Sequence, residues 1–143
     1  MATAPGLAGH DAFSRLGAAA RDIGARLIVI DDLGLAGDPG QDLSPDSAAA
    51  RAASLATALD IPVIATTHLD PYPGDVPRPA DLCYPRILEH ADHLALLNRP
   101  ALHSPAAGRP DLVTCHVTGR AGPELGRVTL HFEPEFHRMT ARG

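Results

Sequence analysis

The first half of the chain shows two apolar patterns, one typical of helices and the other of buried strands. Apolar residues at intervals of three or four predict a helix over residues 10–24, and Gly24 supplies its end. The unbroken apolar run within residues 26–31 predicts a strand that is buried on both faces. Glycine, aspartate and proline are frequent in residues 34–43, which predicts a loop after this strand.

The same order of helix and strand repeats after this loop. Ser44 as N-cap and Pro45 at the first helical position predict the start of a second helix, which runs to about Leu59. The apolar residues 61–66 then predict a second buried strand. Because helices alternate with buried strands, we expect an α/β fold with a largely parallel sheet.

The second half has shorter apolar runs and more turn residues. Its predicted elements are an exposed proline-rich loop at 70–79, a short helix at 85–90, a loop at 100–110, and strands at 94–97, 112–117 and 128–132. A glycine-rich turn joins the last two strands, so we expect them to form a C-terminal antiparallel hairpin. The length of 143 residues is that of one domain.

Composition narrows the functions that are open to the chain. The net charge of −5 provides no overall attraction to nucleic acid, so such contacts would need a local arginine cluster. All 12 basic residues are arginines, and a chain without lysine cannot contain the GxxxxGK pattern of a P-loop. Cys83 and Cys115 lie too far apart for a zinc or disulfide motif. With no signal-peptide pattern or membrane-span pattern, we expect a cytoplasmic protein.

Two carboxylates, Asp31 and Asp32, follow directly after the first predicted strand. Parallel sheets bind ligands at the carboxyl ends of their strands, where a carboxylate suits a hydrated Mg²⁺ or an attacking water. The alternative is that one aspartate only caps the next turn. We expect Asp32 to be a turn residue and not a second ligand of the metal.

Four segments, in this order, resemble the back part of the RecA-like ATPase domain of DnaB-type replicative DNA helicases. They are Leu27 to Leu35, similar to the Walker B strand; Asp60 to Leu69, similar to the sensor strand; Arg78 to Asp92; and Val117 to Phe132, which includes Gly119-Arg120. The resemblance implies a RecA-like three-layer fold in which residues 1–143 form one partial domain. The front P-loop strand of such a domain is absent from these residues.

The resemblance also implies catalytic roles for three residues and cofactors, ATP and Mg²⁺. Asp31 would hold Mg²⁺ through water, and His68 would sense the terminal phosphate. Arg120 would be an arginine finger that reaches the site of a neighbouring subunit. Asp31, Asp32 and Arg120 are therefore the expected nucleotide-binding residues. The structural alternative for His68 is a histidine that makes its hydrogen bonds within the chain at the end of a strand. The structural alternative for Arg120 is a solvated side chain of a glycine-rich turn.

DNA binding is the second implied property. Arg78 and Arg86 would contact the phosphates of single-stranded DNA, although weakly in an acidic chain taken alone. The resemblance implies a homo-oligomeric ring or a partner chain that carries the P-loop. The group His90, Asp92 and His93, whose two histidines lie three residues apart, is a lesser alternative as a metal site.

The chain departs from the family pattern at several positions. Thr118 replaces a lysine, His68 replaces the sensor glutamine, and Asp32 replaces a tyrosine. Two functions therefore remain open: part of a DnaB-like helicase ATPase domain, or an ATPase-dead RecA-like module that binds or regulates other proteins. In either case we expect no ATP hydrolysis by the isolated chain.

Overall fold

The computed structural model describes residues 12–35, 44–70, 76–99, 109–120 and 124–141. Much of the predicted loops at 34–43, 70–79 and 100–110, and residues 121–123 of the predicted turn, lie outside the described residues. The chain divides into two compact units. The first comprises residues 1–69 and 82–91, and the second comprises residues 70–81 and 92–143. That the whole forms a single domain stays a prediction.

The first unit contains the helices and strands that the apolar pattern predicts. They are α1 (Ala12–Asp22), β1 (Ile28–Ile30), α2 (Pro45–Leu59), β2 (Val63–Ala65) and a 3₁₀ turn (Pro85–Glu89). The Ser44 hydroxyl caps α2 by accepting a hydrogen bond from the Ser47 amide at 3.3 Å. Asp60 ends the helix in a left-handed conformation. Strands β1 and β2 pair in parallel, with Val29 opposite Ile64.

Small residues on α2 let the helix pack closely in the core of the first unit. The buried cluster consists of Phe13, Leu33, Ala48, Ala49, Ala52 and Ile87, and Ile30, Leu55 and Val63 pack against it. Leu33 is only 2% exposed although it follows the two aspartates directly. The core therefore anchors the segment that carries Asp31 and Asp32.

The second unit is a four-stranded antiparallel sheet. Its strands are β3 (His93–Asn98), β4 (Leu112–Gly119), β5 (Glu124–Glu133) and β6 (Arg138–Ala141), in the order β3-β4-β5-β6. The predicted C-terminal hairpin is confirmed as β4 and β5. Strand β5 starts four residues earlier than Val128, and β6 was not predicted at all.

The α/β class is confirmed, but among the described residues more strands pair antiparallel than parallel, whereas we expected a largely parallel sheet. In the described residues, parallel pairing is limited to β1 and β2, whereas β3 joins the antiparallel sheet by pairing with β4. The four antiparallel strands are consecutive in the chain, and neighbouring strands of this kind pair readily because no crossover helix is needed.

Ion pairs join the last strands of the second unit. Arg109 Nη2 lies 2.6 Å from Asp111 Oδ2, and His131 Nε2 lies 2.8 Å from the same oxygen. Arg138 Nη2 lies 2.7 Å from Glu133 Oε2. The hydrogen bond from Arg109 lowers the pKa of Asp111, and that from Arg138 lowers the pKa of Glu133.

Leu33 and Leu35 offer a direct test of the core. Leu33→Ala should lower the free energy of unfolding by roughly 2–5 kcal/mol, because it leaves a cavity in the buried cluster. Leu35, which is 79% exposed, is the matched control, and Leu35→Ala should change stability by less than about 0.5 kcal/mol. Urea unfolding followed by circular dichroism measures both. Equal effects would contradict this core.

The lowered pKa values of Asp111 and Glu133 predict a loss of stability in acid. Each carboxylate stabilises the fold above its unfolded pKa of about 4, and this contribution is lost as the pH falls through the lower folded value. The double variant Arg109→Gln/Arg138→Gln should therefore show a smaller drop in urea midpoint between neutral and acidic pH. Arg15→Gln on α1 is the control. An unchanged pH dependence in the double variant would refute the ion-pair account.

Candidate functional site

The parallel pairing of β1 and β2 brings two polar segments to one edge of the first unit. The hydrogen bonds continue past the strands: the Thr66 amide donates to the Ile30 carbonyl at 3.0 Å, and the Leu33 amide donates to the Thr66 carbonyl at 2.9 Å. The residues after each strand are thereby held side by side. This edge contains Asp31 and Asp32, which follow β1, and Thr66 to His68, which follow β2. Their roles as Walker B and sensor residues stay predictions.

Asp31 is exposed at this edge and shares a hydrogen bond with Thr66. The Thr66 hydroxyl donates to Asp31 Oδ1, which fixes the orientation of the carboxylate. Carboxylate and hydroxyl oxygens are ligands of the kind that Mg²⁺ accepts, usually with several waters retained. These two side chains therefore fit a hydrated Mg²⁺. Sequence reasoning missed Thr66, although it follows its apolar run just as Asp31 follows the first.

Asp32 uses both carboxylate oxygens within the chain. Its Oδ1 accepts a hydrogen bond from the Leu35 amide at 3.0 Å, and its Oδ2 lies 3.0 Å from His68 Nε2. A Cβ at Gly34 would lie 3.1 Å from Asp32 Oδ1, so this tight turn favours glycine there. The geometry thus gives Asp32 the turn-forming role, and it links Asp32 to His68, a contact that the sequence did not reveal.

His68 extends from the edge into solvent, with 83% of its side chain exposed against 15% for Asp32. Nε2 donates to the Asp32 carboxylate, so the second ring nitrogen can donate to an anion only in the imidazolium form, in which both nitrogens carry a proton. Its role as a phosphate sensor stays a prediction.

Arg120 lies in the second unit, directly after β4. Its amide donates to the Asp92 carbonyl at 3.1 Å, and its Nη2 donates to Asp92 Oδ1 at 2.9 Å. These two contacts tie the end of β4 to the residue before β3. Thr118, at the position of the family lysine, is buried, and its hydroxyl has no hydrogen-bond partner among the described residues.

Arg78 and Arg86 belong to different compact units, and each is therefore described separately. The Arg78 amide donates to Asp81 Oδ2 at 2.6 Å, while the residue as a whole is exposed. Arg86 Nε lies 3.6 Å from Glu89 Oε1, with 73% of the side chain exposed. Both arginines are accessible, but their common DNA surface stays a prediction.

The described part of the chain holds no group of three or more histidine, cysteine or acidic residues suited to binding a metal. That survey includes the histidine pair His90 and His93. Cys83 and Cys115, both half-buried, form no disulfide. None of the helices in the described residues has the length and apolarity that crossing a bilayer demands.

Comparisons with known proteins identify the fold. No protein-family model and no curated protein matches the chain. Among solved structures, the ATPase domain of G40P aligns with a TM-score of 0.77 and 22% identity, over 92% of this chain and 51% of that one. A DnaB-like replicative helicase, solved to describe its interactions with primase, aligns with a TM-score of 0.74 and 21% identity, over 89% of this chain and 34% of that one.

The resemblance to DnaB-like helicase ATPase domains is therefore confirmed at the level of the fold. This chain spans about half the length of the first matched structure and about a third of the second. At this level of identity the match establishes the RecA-like architecture, and activity has to be argued from the site.

Hydrogen exchange can test the turn that Asp32 forms. The Leu35 amide donates to Asp32 Oδ1 at 3.0 Å and also to the Asp32 carbonyl at 3.2 Å. Asp32→Ala removes the side-chain acceptor and leaves the carbonyl, so this amide should exchange about 3–5-fold faster, corresponding to a loss of up to about 1 kcal/mol. Asp32→Asn keeps an oxygen in the same place and should retain most of the protection. Faster exchange in both variants, or in neither, would contradict the proposed contact.

Proposed function

We propose that the chain is part of a DnaB-like replicative DNA helicase ATPase domain that binds ATP-Mg²⁺ and single-stranded DNA for DNA unwinding. The observation that carries this proposal is the polar edge of the first unit, where Asp31 with Thr66 and Asp32 with His68 come together. That edge occurs in a chain with the fold of helicase ATPase domains. A cytoplasmic location forms part of the same proposal.

In this function, Asp31 and Thr66 hold the waters of a hydrated Mg²⁺. Bound Mg²⁺ would neutralise charge on the phosphates and keep them oriented. Thr66 restricts the rotation of the Asp31 carboxylate, so that Oδ2 would remain available to the waters of the metal. In its imidazolium form, His68 would donate a hydrogen bond to the terminal phosphate from Nδ1, while Asp32 accepts one from Nε2 and holds the ring in place.

Arg120 supplies positive charge to the site of a neighbouring subunit. The contacts with Asp92 fix both its backbone and its guanidinium group, which limits the conformational entropy lost when the arginine engages a phosphate. With 56% of its side chain exposed, Arg120 is accessible to a second molecule. This role requires a homo-oligomeric ring or an equivalent assembly.

A P-loop must come from a partner chain or from a segment outside these residues. The backbone amides and lysine of a P-loop bind the phosphates, and this chain contains no lysine. We therefore expect weak nucleotide binding and no ATP hydrolysis by the chain alone. Arg78 and Arg86 would contact DNA phosphates, and with a net charge of −5 this contact is weak outside an assembly.

The contacts of Asp32 and Arg120 also favour a second function. Each of these charged side chains is already matched by an opposite charge or a histidine within the chain, namely His68 and Asp92. Such internal pairing suits an ATPase-dead RecA-like module that binds or regulates a helicase through its surface. The two functions differ in whether the polar edge binds nucleotide.

Calorimetric titration with ATP-Mg²⁺ separates these functions. The first predicts measurable binding that Asp31→Ala weakens by roughly tenfold or more, since a loss of about 1.4 kcal/mol corresponds to that factor. Glu135→Ala is the control, because it removes the same charge from an exposed turn of the second unit. Single-stranded DNA is present in one series and absent in another.

Two outcomes would count against the helicase function. The first is the absence of binding up to millimolar nucleotide, which would favour the binding or regulatory module. The second is an equal loss of affinity in Asp31→Ala and Glu135→Ala, which would show that binding depends on overall charge and not on the polar edge.

A further inference from the structure

A buried histidine contacts a carboxylate across the β4-β5 hairpin, close to Arg120. His116 on β4 is only 5% exposed, and its Nδ1 lies 3.3 Å from Oε1 of Glu124, the first residue of β5. An ionised carboxylate only accepts hydrogen bonds, so Nδ1 carries a proton and donates it to this contact. The hydrogen bond therefore joins the strand before Arg120 to the strand after it.

A bulge in β5 brings Glu124 to the same face of the sheet as the buried histidine. Val117 pairs with Gly126 on β5. The next register pair joins Thr118 to Glu124, so Leu125 has no register partner on β4. In a regular ladder Thr118 would pair with Leu125, and the side chain of Glu124 would lie on the opposite face. The contact thus depends on the local shape of this hairpin.

Glu124 is the acceptor that satisfies the buried imidazole. The register partners of His116 are Leu96 on β3, which is apolar, and Arg127 on β5, whose side chain has donors only. Thr118 follows on the same face and is also buried, but its hydroxyl has no hydrogen-bond partner among the described residues. Because buried polar groups are rarely left unpaired, the His116 ring favours the conformation in which Glu124 stays close.

Asp92 holds Arg120 from the side of β3. It accepts hydrogen bonds from the Arg120 amide through its carbonyl and from the guanidinium group through its carboxylate. The carboxylate contact has to break when the guanidinium group engages a phosphate, and 84% of the Asp92 side chain is exposed to solvent. The amide contact then remains on the side of β3, and the hydrogen bond between His116 and Glu124 remains on the side of β5.

We propose that His116 is a positioning residue for Arg120. Its hydrogen bond to Glu124 holds the ends of β4 and β5 together, so that Arg120 keeps its place when the guanidinium group leaves Asp92 for a phosphate. A backbone that is fixed in advance loses less conformational entropy when the side chain binds. This inference rests on the proposed function, in which Arg120 reaches the site of a neighbouring subunit.

Hydrogen exchange of the Arg120 amide, measured by NMR without nucleotide, tests the contact. Glu124→Ala removes the acceptor from a side chain that is 50% exposed, so the ends of the strands should separate more often and the amide should exchange about 3–5-fold faster. Glu124→Gln keeps an oxygen at the same position and should restore the protection. Glu135→Ala removes the same charge from an exposed turn and is the control, with unchanged exchange expected.

Loss of the Asp92 carboxylate imitates the release of the guanidinium group. Asp92→Ala keeps the backbone carbonyl that accepts from the Arg120 amide, so alone it should accelerate exchange of this amide less than about threefold. Combined with Glu124→Ala, the acceleration should exceed the product of the two single effects, because each contact compensates for loss of the other. His116→Leu, which keeps the buried position apolar, should reproduce the effect of Glu124→Ala from the other partner.

The outcomes distinguish the positioning role from the proposed function. Unchanged exchange in Glu124→Ala, equal exchange in Glu124→Ala and Glu124→Gln, or a double variant with Asp92→Ala that only multiplies the single effects would overturn the positioning role. The expected exchange pattern without nucleotide binding would support the contact and count against the helicase function. Nucleotide binding with unchanged exchange would leave the role of Asp31 intact and overturn only that of His116.

Discussion

The short parallel ladder between β1 and β2 is the constraint on which the rest of the first unit depends. It brings Asp31 to Thr66 across 35 positions of sequence, and its last hydrogen bonds hold the residues beyond both strands in register. The ladder itself is kept in place by alanine-rich α2 and by Leu33, which enter the same core. Packing and the polar edge are therefore coupled: a change that loosens the core also disperses the side chains of the site.

Internal pairing of charges is the second property of the candidate residues. His68 contacts Asp32 and Arg120 contacts Asp92, so these side chains are oriented before any ligand arrives. A bound phosphate would have to compete with these carboxylates, yet it would find the imidazole and the guanidinium group already positioned, which reduces the entropic cost of binding. The same contacts thus describe either a preorganised site or a closed one, and affinity for nucleotide decides between them.

The sequence predicted the elements that have a strong local pattern. The apolar runs around Ile28 and Ile64 predicted both strands of the first unit, and the cap at Ser44 predicted the start of α2. The family resemblance predicted Asp31 and His68 at one edge. The sequence did not predict β6, because Arg138 to Ala141 has no long apolar pattern and depends on pairing with β5. The contact of Thr66 with Asp31 was also missed, since it follows from three-dimensional register and not from spacing along the chain.

Paramagnetic relaxation with Mn²⁺, used in place of Mg²⁺, tests the central claim most directly. If the parallel ladder creates an oxygen-lined cation site, low Mn²⁺ concentrations should broaden the amide signals of residues 31–33 and 66–68 together, and Asp31→Asn should remove the effect from both segments. Broadening confined to other carboxylates, such as Asp111 and Glu133, or broadening of only one of the two segments, would contradict the account.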